Sequence, residues 1–122
     1  MESNNITVIY KWQAKPGKLN ELKDIYAQVC SDMEQNEPGA LIMQYYADDN
    51  ANELVVHDLF QDAQALGFHL GVTAAAHFPA LLEIAQPGPF YFMGDVPEEM
   101  QQAALGMGLQ AQFSGRLGGF EK

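Results

Sequence analysis

The sequence predicts an α+β domain of order β-α-β-β-α-β followed by a C-terminal extension. Three observations carry this. Runs of β-branched and aromatic residues alternate with stretches of helical spacing. Proline, glycine and Asp/Asn clusters fall between them, where the chain must turn. The chain has 122 residues, 48% hydrophobic and 18% charged, which suits one globular domain with a real core.

Residues 6–13, ITVIYKWQ, read as a strand, and AKPGK (14–18) turns the chain. Leu19, Leu22, Ile25, Tyr26, Val29, Cys30 and Met33 recur at helical spacing, predicting a helix over 18–36 with Cys30 on its buried, inert face. NEPGA stops it. ALIMQYYA (40–47) and ELVVHDLF (53–60), joined by the polar DDNAN, predict an antiparallel hairpin. Asp62 is placed to cap a short helix from Ala63 to about Leu70, which Gly71 ends. Thr73 is placed to cap the next segment, through Ala85. Pro79 either kinks that segment or sits in the first turn of a helix starting near Phe78, with Phe78, Leu81, Leu82 and Ala85 facing inward. FYFMG (90–94) is a fourth strand, DVPEEMQQAALGM a short helix and LQAQF a last short strand. The glycine-rich SGRLGGFEK is a tail.

This order is the ferredoxin-like split βαβ arrangement, with residues 1–94 as the domain and 95–122 as an extension packed on or near it. The strands carry apolar residues on both alternations: Ile6, Val8, Tyr10 and Trp12 against Ile9, and Ala40 and Ile42 against Leu41, Met43 and Tyr45. Helices cover only one face of such a sheet. A partner sheet is the simplest cover for the other, which predicts a homodimer.

Charge narrows the partners. The formal net charge is −10, and residues 24–115 contain 13 Asp and Glu but no Lys or Arg. Phosphate-rich partners need cations to displace their counterions. Nucleic acid, an anionic membrane and nucleotide cofactors are therefore not expected, and no Walker or G-x-G-x-x-G motif occurs. The expected ligand is a small neutral or apolar, hydrophobic molecule, or else a metal ion. The N-terminus MESNNITV lacks the pattern of a signal peptide, no apolar run of membrane-spanning length is evident, and Cys30 has no internal disulfide partner. Together these point to the cytoplasm.

Four stretches then carry a resemblance: the first strand running into AKPGK, EPGALIMQYY, ELVVHDLFQDAQAL, and FHLGVTAAAHFPALL. In order and spacing they resemble the antibiotic biosynthesis monooxygenase domain family of small dimeric α/β-barrel proteins. The resemblance spans about residues 6–94 and implies a sheet-to-sheet dimer with a pocket between each sheet and its helices. It implies either oxygenation of a phenol or quinol without metal or flavin, or another of the family's chemistries, which include haem degradation and isomerisation of a signalling-molecule phosphate. Haem-degrading relatives use an Asn on the first strand and a Trp and a His on the second helix. Here those positions fall near Tyr10, near His69 and at His77, so only the last is kept. Some oxygenases of the family place Arg, Trp and Asn around the phenol, but the first Arg here is Arg116.

The chemical candidates are therefore the three histidines. His57 shares a strand face with Val55 and Leu59; if that face meets the helices, it enters the pocket. His69 sits on the short helix, within reach of the pocket rim. His77 precedes Phe78–Pro79, where helix-end amides favour the neutral ring. Each has a plainer reading as a packed, hydrogen-bonded core or capping residue. As metal ligands they form a weak set: His69 and His77 are eight apart, and a site would need a carboxylate such as Asp58 or Glu83 brought in by the fold. Trp12, Tyr10, Tyr45, Phe60, Phe68 and Phe78 are the residues expected to wall a flat hydrophobic ligand. No carboxylate pair stands out. The leading expectation is a small oxygenase working without metal or cofactor. The alternative is a non-catalytic dimer that binds a small apolar ligand.

Overall fold

The computed structural model describes residues 4–122; the first three residues of the MESNNITV stretch lie outside them. Five strands form one sheet in the order β2-β3-β1-β4-β5. β1 (Ile6–Ala14) lies at its centre, between β3 (Glu53–Phe60) and β4 (Ala85–Met93), antiparallel to both. β2 (Ala40–Asp48) pairs antiparallel with β3. β5 (Gln110–Ser114) follows the helix α4 (Glu98–Gly106) and pairs parallel with β4, so the C-terminal extension adds an edge strand to the same sheet.

One face of the sheet is the core. Ile6, Val8, Tyr10, Trp12 and Ala14 alternate inward from β1, Leu54, Val56, Asp58 and Phe60 from β3, and Phe90 and Phe92 from β4. The period of two in a strand sends their neighbours to the opposite face. Helix α1 (Leu19–Asn36) covers the core face with Leu19, Leu22, Tyr26, Val29 and Met33. Cys30 falls beside this stripe and is half-buried rather than core. Partial burial, with Glu34 and Asp58 nearby, pushes its thiol pKa up, which keeps it a poor nucleophile. In β2 a bulge between Ala40 and Ile42 breaks the alternation. Ala40 pairs with Phe60 on the core face and Ile42 with Leu59 on the open one, so these two residues do not share a face.

The second helical layer departs from expectation. Asp62 caps α2 (Ala63–Phe68), its Oδ1 accepting from the Ala65 amide at 2.9 Å. Gly71 does not end the helix. Instead a π-helical turn, His69–Ala74, joins α2 to α3 (Ala75–Ile84), and Pro79 sits inside α3. A π turn admits extra residues without breaking the hydrogen-bonded path. It brings His69 and Thr73 inward, both buried, on the same side as Leu66 and Leu81. The joined span 63–84 is long and apolar enough to cross a membrane by length and composition, which the sequence reading missed by breaking it at Gly71. A helix packed on a protein core meets the same two criteria. Strand β4 also begins five residues earlier than FYFMG, because AQPGP extends alongside β1.

Candidate functional site

Between the core face and the helices lies a cavity of about 40 Å³. Its walls are apolar and aromatic: Val8, Trp12, Phe60, Phe78, Phe90 and Phe92 are among them. The stacked Tyr10 and Phe90 rings, 4.3 Å apart, form part of the floor. That volume holds a few water molecules and no aromatic ring. A substrate must therefore displace side chains or the helical roof to enter.

A seam of polar groups crosses this apolar space. Trp12 Nε1 donates to the Tyr26 hydroxyl at 2.7 Å, and Tyr26 donates to the Tyr10 hydroxyl at 3.2 Å. The Tyr10 hydroxyl in turn interacts with the Asp58 carboxylate. Asp58 is 1% exposed, and its Oδ1 has no hydrogen-bond partner among the described residues. Burial pushes its pKa from the ordinary 3.8 to about 7, against the lowering influence of His69 and of the Tyr10 hydroxyl; Glu37 adds to the rise. Burial likewise holds both tyrosine hydroxyls well above their usual range, so they remain donors at neutral pH.

Two histidine–carboxylate pairs tie the helical roof to α1. His69 Nδ1 lies 3.0 Å from Glu37 Oε2, and both side chains are buried; Glu37 Oε1 has no partner among the described residues. His77 Nε2 lies 2.7 Å from Asp32 Oδ2 at a half-exposed position. The His77 hydrogen bond holds the Asp32 carboxyl below its usual range. Both histidines line the cavity.

Of the expected site residues, the fold brings together Tyr10, Trp12, Phe60, His69, His77 and Phe78. It does not bring His57, which pairs across the sheet with Ile9 and Gln44 on the open face, turned away from the helices. Nor does it bring Phe68, which is 46% exposed on the outside of α2. Tyr45 stays at the β2 edge, its ring 6.3 Å from that of Tyr26 and outside the cavity wall. Sequence reasoning misses Glu37 and names Asp58 only as a carboxylate that a metal site would need. A signal for Asp58 existed: it occupies the third place in the Leu54, Val56, Asp58, Phe60 alternation, a carboxylate among hydrophobes. Nothing in NEPGA marks Glu37 beyond a helix stop. Among the described residues, no three His, Cys, Asp or Glu side chains gather as a metal site would require.

This fold and cavity define a class of small α+β protein with a pocket between a sheet and its helices. The antibiotic biosynthesis monooxygenase family model matches residues 5–81, and the chain belongs to that family. Among solved structures, MupZ from Pseudomonas fluorescens is similar over 98% of this chain and 96% of its own, at 18% identity and a TM-score of 0.80. That likeness takes in the C-terminal extension. SnoaB, a cofactor-independent oxygenase from Streptomyces nogalater, covers 74% of this chain and 91% of its own, at 16% identity and a TM-score of 0.64. Rv0793 from Mycobacterium tuberculosis covers 77% and 97%, at 16% identity and a TM-score of 0.66. At these identities the likeness is one of fold. No curated protein matches the chain.

Proposed function

We propose that this protein is a cofactor-independent monooxygenase acting on a phenol- or quinol-like hydrophobic substrate, with Asp58 as the base that starts the reaction. The observation that carries it is Asp58 itself. A buried carboxylate with a pKa of about 7 and an unpartnered Oδ1, in an aromatic-walled cavity, is matched to removing a phenolic proton at neutral pH. The resulting phenolate is electron-rich enough to reduce dioxygen, and the enclosing apolar walls protect what forms. SnoaB, similar in fold, is described as a cofactor-independent oxygenase, which supports this reading. The test is oxygen uptake with hydroquinones and naphthols. The wild type is expected to consume oxygen at a rate that rises with pH to a plateau above about 7, and Asp58→Asn to lower it by roughly 10²-fold or more. No uptake above background with any of them refutes the reading.

A second reading is favoured by the donor chain facing Asp58. Trp12, Tyr26 and Tyr10 supply an acid beside a base, which suits proton transfer that consumes no oxygen. Turnover under argon separates the two. A purely binding role would show saturable ligand binding, unaffected turnover blanks and no effect of Asp58→Asn.

The protein is also proposed to work as a homodimer through the open sheet face. Ile9, Ile42, Tyr46, Val55, Tyr91 and Met93 are exposed there. Lys11, on the same face, is neutralised by Glu53 at 3.0 Å. In a chain of net charge −10, two copies repel each other least across such a neutral apolar face.

A further inference from the structure

Resting on the phenol reading, we infer that His69 is a second base of the cavity, acting through Nε2, and that Glu37 is its positioning residue. The His69 side chain is 7% exposed and that of Glu37 2%, so this pair is inside the protein rather than on its surface. A carboxylate only accepts, so Nδ1 carries the hydrogen toward Glu37 Oε2, 3.0 Å away. That leaves the lone pair on Nε2, and His69 is one of the residues that line the cavity. The ring is fixed from the other side by Phe60, 5.2 Å between centroids. The π turn provides the placement by carrying His69 into the core. His77 is held through the opposite nitrogen, its Nε2 already engaged by Asp32, so it is not equivalent. Asp58 also lines the cavity and interacts electrostatically with both His69 and Glu37.

Two bases match the two proton removals of phenol oxygenation. Asp58 takes the phenolic proton, and a ring carbon forms a bond to dioxygen, giving a peroxide anion. That anion takes the proton back from Asp58. His69 Nε2 then removes the hydrogen from the same, now tetrahedral, ring carbon. The electron pair released becomes the new C=O bond and the O–O bond breaks. The hydroxide that leaves takes the proton from Nε2 and departs as water. The substrate is oxidised to a quinone, dioxygen is reduced, and both side chains return to their starting states. The Glu37 carboxylate stabilises the imidazolium formed in between.

The tests are a product balance with a hydroquinone or naphthol and ¹⁵N NMR of the histidine rings. The wild type is expected to form one quinone per dioxygen consumed. His69→Gln, and His69→Asn in parallel, are expected to keep consuming oxygen while organic peroxide accumulates at more than half of the oxygen used. Glu37→Gln is expected to shift the balance the same way with KM little changed. In the wild type, the ring spectrum is expected to show His69 hydrogen-bearing at Nδ1, and Glu37→Leu to abolish that preference. Quinone formed in wild-type proportion by the His69 variants, or a wild-type ring hydrogen-bearing at Nε2, overturns this inference and leaves the phenol reading standing. No oxygen uptake by the wild type overturns both.

Discussion

Replacing Asp58 with asparagine should stabilise this protein at alkaline pH while disabling it. The magnitude follows from the displaced ionisation. Burial raises the folded-state pKa from 3.8 to about 7, a shift of about three units. At 1.36 kcal/mol per unit, ionising Asp58 in the folded state opposes folding by ~4 kcal/mol. The sign is fixed by proton binding. Between about pH 4 and 7 the folded chain holds a proton that the unfolded chain has lost, so stability falls as pH rises through that window and levels off above it. Asparagine carries no charge. Urea unfolding of the wild type and Asp58→Asn from pH 4 to 9 checks this. The variant is expected to match the wild type near pH 4 and to exceed it by ~4 kcal/mol at pH 8 and above. A difference that does not change with pH refutes the reasoning, because it would mean that Asp58 ionises normally in the folded protein.

Three further outcomes are expected. Tyr10→Phe removes the hydroxyl that accepts from Tyr26 and lowers the Asp58 pKa. It should move the midpoint of the Asp58 titration, followed by ¹³C NMR, to higher pH and cost ~1–3 kcal/mol in urea unfolding. Ile9→Lys together with Tyr91→Lys puts charge on the open sheet face and should give a folded monomer by light scattering, where the wild type is expected to elute as a dimer. Gly39→Ala should destabilise by ~1–3 kcal/mol, because its new methyl would stand 2.5 Å from the Ala65 Cβ where β2 meets α2. A thermal melt unchanged from wild type would contradict that close approach.

The sequence was most legible where patterning is local. The α1 stripe from Leu19 to Met33 and the Asp62 cap could be read from spacing and residue type alone, because a helix repeats its contacts every turn. The β2–β3 hairpin followed from two apolar runs around a polar turn. Legibility fell where two alternatives had the same local pattern. In ELVVHDLF both alternations are largely apolar, interrupted by Glu53 and His57 on one and by Asp58 on the other. Local chemistry favours the histidine as a functional group. Which face meets the helices is decided by β1 and α1 packing against β3, and that choice buries Asp58 and turns His57 outward. Gly71 posed the same kind of problem: as a local signal it ends a helix, but core packing of His69 and Thr73 carries the chain through it in a π turn.

The sequence by itself determined the order of elements, the family, and the absence of cations from residues 24–115 that directs the reading toward a neutral ligand. Only the tertiary structure decided the chemistry of the cavity. It joined Trp12, Tyr26 and Tyr10 into one hydrogen-bonded chain beside the buried Asp58, and set His69 against Glu37 across 32 positions of sequence. The physical reason is that a carboxylate's pKa and a histidine's free nitrogen are not properties of the residue. They are set by burial and by the partner on the facing element, and both exist only once the sheet and helices have closed over them.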